Sequence, residues 1–401
     1  MNSAVELKKI RSKQLNCTDR PQSRGVARAQ IGLGMHLYLG EGLEKDQAAA
    51  VQWFRLAADQ GHLMALTELG DCHELGHGVD KDLVEAVKLY RAAADQGYAR
   101  AQASLGLCFE QGSGVEKDLA QAVKWYRLAA DQGYARAQTN LGVCFLNGLG
   151  VEKDLAEAVK WHRLAAEQGY ACGQASLGVC FQNGLGVEKD LAQAVKWYRL
   201  AADQRSVYAQ ALMGDCYRDG NGVEKNLVEA IRWYRLSADQ GWAGAQHMIG
   251  ISFEYGQGVE KDLAEAVKWY RLAAEQGNAI SQTALGFCFR YGNGVERAFV
   301  QAVKWYSLAA DQSEESAQFN LGLAYLYGRG VRENTTKGRE LIRLAAQAGQ
   351  PDAQKFLNRP YDPQYDTSND PLEESRLRRQ REMRETQIYR EMLRREQDRN
   401  Q

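Results

Sequence analysis

The sequence predicts an all-α solenoid built from nine copies of one 36-residue helix-turn-helix unit, and three observations carry that prediction. A leucine followed by glycine recurs at Leu33, Leu69, Leu105, Leu141, Leu177, Leu285 and Leu321, with Met213 and Ile249 completing the column at the same 36-residue step. Counted from four residues before that position, nine copies run from Ala29 to Asp352 without insertion or deletion, as one structural unit stacked on itself requires. None of the five prolines falls between residues 22 and 350, so no proline interrupts a helix there by removing an amide donor.

Taken in chain order, residues 1–28 form an N-terminal arm in which AVELKKIRSKQL, residues 4–15, suits a short amphipathic capping helix, because an open solenoid end exposes core. The nine repeats follow at 29–352, and the third, Ala101 to Arg136, shows the unit. Ala101, Leu105 and Phe109 stand at i, i+4 and i+8 on one face of a first helix that must be buried. Gly112 and Gly114 break it, and Asp118 with Gln121 three residues on makes a capping-box arrangement for a second helix. The pair returns as Asp82 with Glu85, Asp154 with Glu157, Asp190 with Gln193, Asn226 with Glu229 and Asp262 with Glu265.

Along the second helix Ala122, Trp125, Tyr126 and Ala129 alternate bulky and small residues, and Gly133 supplies a left-handed C-cap. Seven of the eight tryptophans share the Trp125 column, which reads as inter-helix core. Arg205 and Ser313 stand where other copies have the capping glycine, so a bend or change of pitch is expected at each. Residues 353–371 begin a tenth first helix and continue as a turn-rich linker. Residues 372–401 are a charged tail, either a solvated helix or disordered chain, or a helix that contacts a second partner.

With 50 basic against 51 acidic residues the net charge is −1, which supplies no field for nucleic acid or anionic lipid. No apolar run suits a signal-peptide core or a membrane span, so a soluble, cytoplasmic protein is expected. Six of the eight cysteines share one column, Cys72, Cys108, Cys144, Cys180, Cys216 and Cys288, with Ser252 and Ala324 in the same position. A position that also accepts Ser and Ala calls for a small packing group, and free thiols favour a reducing compartment.

The pattern A-x-A-Q-x-x-L-G-x-x-[FY]-x-x-G-x-G-V-x-K-D-x-x-x-A-V-x-W-[YFH]-R-x-A-A-[DE]-Q-G, assembled over residues 29 to about 352, resembles the Sel-1-like repeat family, whose helical repeats are akin to tetratricopeptide units. The resemblance implies a right-handed superhelix whose first helices line a concave surface, and an adaptor that assembles protein complexes. Members of that family serve in endoplasmic-reticulum quality control, cell-wall synthase activation, signalling and bacterial interaction with host cells. The resemblance therefore implies a mode of action and no single pathway. A hydrolase of β-lactamase type, by analogy with cysteine-rich relatives, and a structural subunit of a larger assembly are the alternatives.

No nucleophile with a base, no carboxylate pair and no phosphate-cradling loop stands outside the repeat pattern, so no enzyme, cofactor or metal is expected. The recurring G-x-G-V-x-K-D lacks a preceding strand and joins two helices. Cys72, His73 and His77 are the one grouping with metal-ligand character; they occur in a single copy, with a glycine turn before His77.

Columns that repeat hold the core of a solenoid, so the columns that vary along the first helix are the candidates for partner recognition. Positions one before and two, five and six after the key leucine begin acidic in copy two, with Glu68, Asp71 and Glu74, and become aromatic later. The candidate partner-binding residues are Leu212, Asp215 and Arg218, then Ile251, Glu254 and Tyr255, then Phe287, Arg290 and Tyr291, then Leu323, Leu326 and Tyr327. Aromatics with arginine and acids are what protein interfaces use as anchors, which makes copies seven to nine the preferred surface for a protein or peptide. The other reading is that Tyr255, Tyr291 and Tyr327 pack between neighbouring first helices.

Overall fold

A computed structural model describes residues 20–358. They form nineteen helices, and no strand occurs among the described residues. The nine repeats are helix-turn-helix units of a helical solenoid, each helix packing on the one that follows it in sequence within a unit. The chain divides into two compact units at Gln240, the first holding copies one to six and the second copies seven to nine. The proposed capping segment 4–15, the linker beyond Asn358 and the charged tail lie outside the described residues.

In copy three the first helix is Ala99–Gln111 and the second Leu119–Asp131. The expected first-helix stripe is buried: Ala101, Leu105, Cys108 and Phe109 enter one core with Ala122, Tyr126 and Ala129. The helix ends where Gly112 turns left-handed at φ 75°. Gly114, at φ 69°, has a second reason to be glycine, because a Cβ there would stand 2.1 Å from the carbonyl oxygen of Leu83. The turn of one copy thus rests on the first turn of the preceding copy's second helix, and only a residue without a side chain lets the two backbones meet.

The N-caps form on one side only of the expected box. Asp118 accepts from the Gln121 backbone amide at 2.9 Å, and Asp82, Asp154, Asp190, Asn226 and Asp262 do the same for their own helices. The acidic residue three positions on does not reach back, because the N-cap amide is already taken: Asp118 N–H donates to the Phe109 carbonyl at 2.9 Å. Glu85, Glu157 and Glu265 pair instead with Lys88, Lys160 and Lys268 one turn along. The cap is therefore also a tie between the two helices of a copy.

The turn after each second helix survives without glycine. Gly133 has φ 85°, and Arg205 and Ser313 keep φ 64° and 65°. Arg205 N–H donates to Ala202 at 2.9 Å and Ser206 N–H to Ala201 at 3.1 Å, the same pattern and lengths as at Gly133 and Tyr134. The turn thus keeps its geometry at both copies, and nothing crowds a side chain at the equivalent glycine: a Cβ at Gly133 would meet nothing within 4 Å.

Two features of the core extend what periodicity predicts. The tryptophan column packs in the core to different depths: Trp161 and Trp305 are buried and Trp125 is half-buried, while Tyr126 beside it is 0% exposed. A glutamine ladder also joins the copies. Buried Gln102 donates to the carbonyl of Ala94 in the preceding second helix at 3.1 Å and accepts from Gln132 of its own at 2.7 Å. Gln138 with Gln168 and Gln282 with Gln312 repeat the arrangement, which leaves these amides satisfied inside the stack. At the C-terminal end the short helix Pro351–Leu357 covers the last copy, with Ala353 fully buried and Phe356 edge-on to Phe319 at 6.3 Å.

Candidate functional site

Six of the nine copies build the first-helix face around one contact. The glycine after the key leucine faces the aromatic ring that follows the tryptophan column, and a Cβ on Gly70, Gly106, Gly178, Gly214, Gly250 or Gly286 would stand 2.5 to 2.7 Å from the ring of Tyr90, Tyr126, Tyr198, Tyr234, Tyr270 or Tyr306. The ring fills the space that the missing side chain leaves. Its hydroxyl then emerges among the varying positions of the first helix.

There the partners change from copy to copy. Tyr90 donates to Asp71 or Glu74, each at 2.6 Å, Tyr126 to Glu110 at 2.5 Å, Tyr198 to Gln182 at 2.6 Å and Tyr270 to Glu254 at 2.6 Å. Burial, with the acids beside them, raises the hydroxyl pKa of Tyr90, Tyr126 and Tyr270 far above its ordinary value, so each remains a donor. In these copies a buried tyrosine therefore holds a varying position of the first helix, whereas copies one and nine have Phe54 and Ile342 in its place. Copy four has His162 in that place, fully buried with neither ring nitrogen hydrogen-bonded, and burial pushes it down to about 4.

In the first unit, Leu212 packs at the edge of the core around Met213. Asp215 accepts from Tyr234 at 2.7 Å and pairs with Arg218 at 2.8 Å, while Arg218 also binds Asp219 at 2.7 Å and holds its carboxyl below the usual range. These side chains form one network rather than separate contacts.

The second unit places its candidates at three depths. Tyr255 is 55% exposed, and Ile251 packs half-buried against the core that contains Tyr270 and Leu285. Phe287 stacks on Tyr291 at 6.3 Å with 12° between the rings and meets Tyr306 edge-on at 5.7 Å. Arg290 is 6% exposed, donates to Asn320 at 2.8 Å and lies 5.2 Å over the Tyr291 ring. Leu323, 1% exposed, belongs to the core with Phe319 and Ile342. Leu326 and Tyr327 pack half-buried against the same core, with Arg329 5.2 Å over the Tyr327 ring.

Other sequence features have structural roles. The six-cysteine column is buried and unoxidised, and burial raises Cys72, Cys108 and Cys144 to about 12 and Cys180 and Cys216 to about 11. Cys72 and His73 are buried, whereas His77 meets the Tyr38 hydroxyl at 2.6 Å. No three His, Cys, Asp or Glu side chains converge as a metal set among the described residues.

The positions that the varying-column argument misses lie seven and five residues before the key leucine. Tyr98, Tyr134 and Tyr170 cap successive first helices, each followed at two residues by Arg100, Arg136 or Cys172. A tyrosine at three successive steps reads as core by periodicity, although all three are only half-buried. The signal available in the sequence was the arginine two residues after Tyr98 and Tyr134, a residue that is mostly exposed unless paired.

Paired helices at a 36-residue step, a glycine-to-aromatic contact in copies one to eight and a varying first-helix face define an α-helical repeat protein. Sel1 repeats match the chain at residues 27–62, 63–98, 99–134, 135–170, 173–206, 207–242, 243–278, 279–314 and 315–350, and the chain belongs to the Sel1 repeat family. It is similar to the crystal structure of a protective antigen of uropathogenic Escherichia coli with an SLR fold: 34% identity, TM-score 0.55, covering 88% of this chain and 81% of that one. A Sel1 repeat protein from Oxalobacter formigenes is 31% identical, with TM-score 0.55 over 76% of this chain and 88% of its own. No curated protein matches the chain. No helix among the described residues is long and apolar enough to cross a membrane.

Proposed function

We propose that the chain is a non-catalytic adaptor that binds partner proteins on the face formed by its first helices, with the principal contact in copies seven to nine. The observation that carries this reading is the buried tyrosine that recurs beneath a changing surface in six of the nine copies, copies seven and eight among them. Where a buried ring fixes the side chains above it, their geometry is set before a partner arrives, which lowers the ordering cost of binding. In the second unit that surface combines exposed Tyr255 with the Phe287–Tyr291 stack, aromatic groups of the kind enriched at interface centres.

The absence of catalysis in this reading is supported by the thiols. A nucleophilic cysteine needs an accessible thiolate, and burial holds five of the column's six well above neutral pKa values. A cytoplasmic location belongs to the same proposal and is supported by the free thiols.

The experiment is quantitative affinity capture from native extract with the full chain, compared with Tyr255→Ala and with Leu272→Ala on an exposed second-helix position. Loss of the same bound proteins by Tyr255→Ala alone supports the reading. Equal recovery by all three chains overturns it.

A further inference from the structure

Arg100 and Arg136 occupy the same place in successive copies and have different surroundings. Arg100 is bound by two acids of the preceding copy: its guanidinium meets Glu68 and lies 2.5 Å from Asp71 Oδ2, with a further bond to Glu68 at 3.3 Å. Thirty-six residues on, Ser104 and Leu107 stand where Glu68 and Asp71 stood. Arg136 is exposed and forms no ion pair with any described residue. The repeat has thus carried the arginine forward and left its carboxylates behind.

The surroundings are built for contact. Tyr134 and Tyr170 flank Arg136, each half-buried at the N-cap of its first helix, and Ser104 and Leu107 are half-buried in the copy before it. Tyr170 is an electrostatic neighbour of both Arg136 and Tyr134. An exposed guanidinium beside a half-buried tyrosine presents a planar donor fork to two oxygens, the geometry that a carboxylate matches. Partly apolar walls strengthen such a pair relative to one in open water.

We propose that Arg136, flanked by Tyr134 and Tyr170, binds a carboxylate side chain from an acidic segment of a partner protein, in the position that Glu68 and Asp71 occupy at Arg100. The inference rests on the adaptor reading and gives it a partner chemistry in the first unit. Arg100 supplies the reason for choosing carboxylate, since the same place in the neighbouring copy is filled by carboxylates of the chain itself.

The test uses fluorescence anisotropy with the full chain and fluorescein-labelled hexaglutamate, with hexaglutamine as the neutral comparison. Hexaglutamate is expected to bind and hexaglutamine not. Arg136→Gln is expected to weaken binding about tenfold, a loss equivalent to ~1.4 kcal/mol. Ser104→Glu combined with Leu107→Asp is expected to weaken it as much while leaving the arginine in place, by restoring an internal partner. Lys124→Gln removes the same charge from an exposed second-helix position and is expected to change little. No binding of hexaglutamate to the unaltered chain, or equal weakening by Lys124→Gln, or wild-type binding by Arg136→Gln, overturns the proposal. Any of these outcomes can coincide with intact capture through Tyr255, so failure here is distinguishable from failure of the adaptor reading.

Discussion

Gly106 and Tyr126 are in direct contact across the two helices of one copy: a Cβ on Gly106 would lie 2.7 Å from two carbons of the ring. The ring is fully buried and hydrogen-bonded at its far end to Glu110, so it has no open direction in which to retreat. Gly106→Ala is expected to destabilise the chain by about 1–3 kcal/mol, the usual range for an overpacked core. Urea denaturation followed by circular dichroism measures it, and an unchanged midpoint would show that the contact has slack.

Gly114→Ala is expected to cost more than Gly106→Ala. Its Cβ would meet backbone, the Leu83 carbonyl at 2.1 Å, and its φ of 69° adds the left-handed penalty of roughly 1–2 kcal/mol. Backbone cannot swing aside as a side chain can. The same denaturation series ranks the two variants.

Arg205→Gly and Ser313→Gly are expected to stabilise. Both residues hold a left-handed backbone that costs an L residue roughly 1–2 kcal/mol, against about 0.5–1 kcal/mol for glycine's greater freedom when unfolded. A gain of about 0.5–1 kcal/mol in each variant is the expected result, read as a rise in the denaturation midpoint.

Acid should weaken the first unit through His162. Its folded-state value, about 4, lies below the ordinary value near 6.5, so the unfolded chain takes up the proton first as pH falls. Stability is therefore lost between about pH 6.5 and 4 and levels off below. His162→Phe, which copies the Phe54 against Gly34 of copy one, should abolish that part of the slope and gain on the order of 2 kcal/mol at pH 5. His247, also lowered to about 4 by burial, retains its own contribution in the variant.

Much of the fold was legible because the 36-residue step makes each column its own control. The glycine turns, the N-cap acids and the buried stripe Ala101, Leu105 and Phe109 all follow from spacing. Periodicity could not rank Trp125 against Tyr126, since both lie on one helical face; the decision is made twenty residues upstream, where Gly106 leaves room for a ring. Nor could it separate the residues of the varying face by depth. Tyr255, Arg290 and Leu323 come from equivalent or neighbouring columns, yet one is exposed and two are buried, because phenylalanine and asparagine neighbours differ from copy to copy. The acids left out at Ser104 and Leu107 were visible in the sequence, but their meaning required the Arg100 ion pairs.

The most direct measurement is site-specific photo-crosslinking. A benzophenone side chain placed at Tyr255, on the first-helix face, is compared with one at Leu272, on a second helix and 46% exposed. A discrete crosslinked partner from position 255 and none from 272 is the predicted result. Partner crosslinks from 272 with none from 255 would contradict the account.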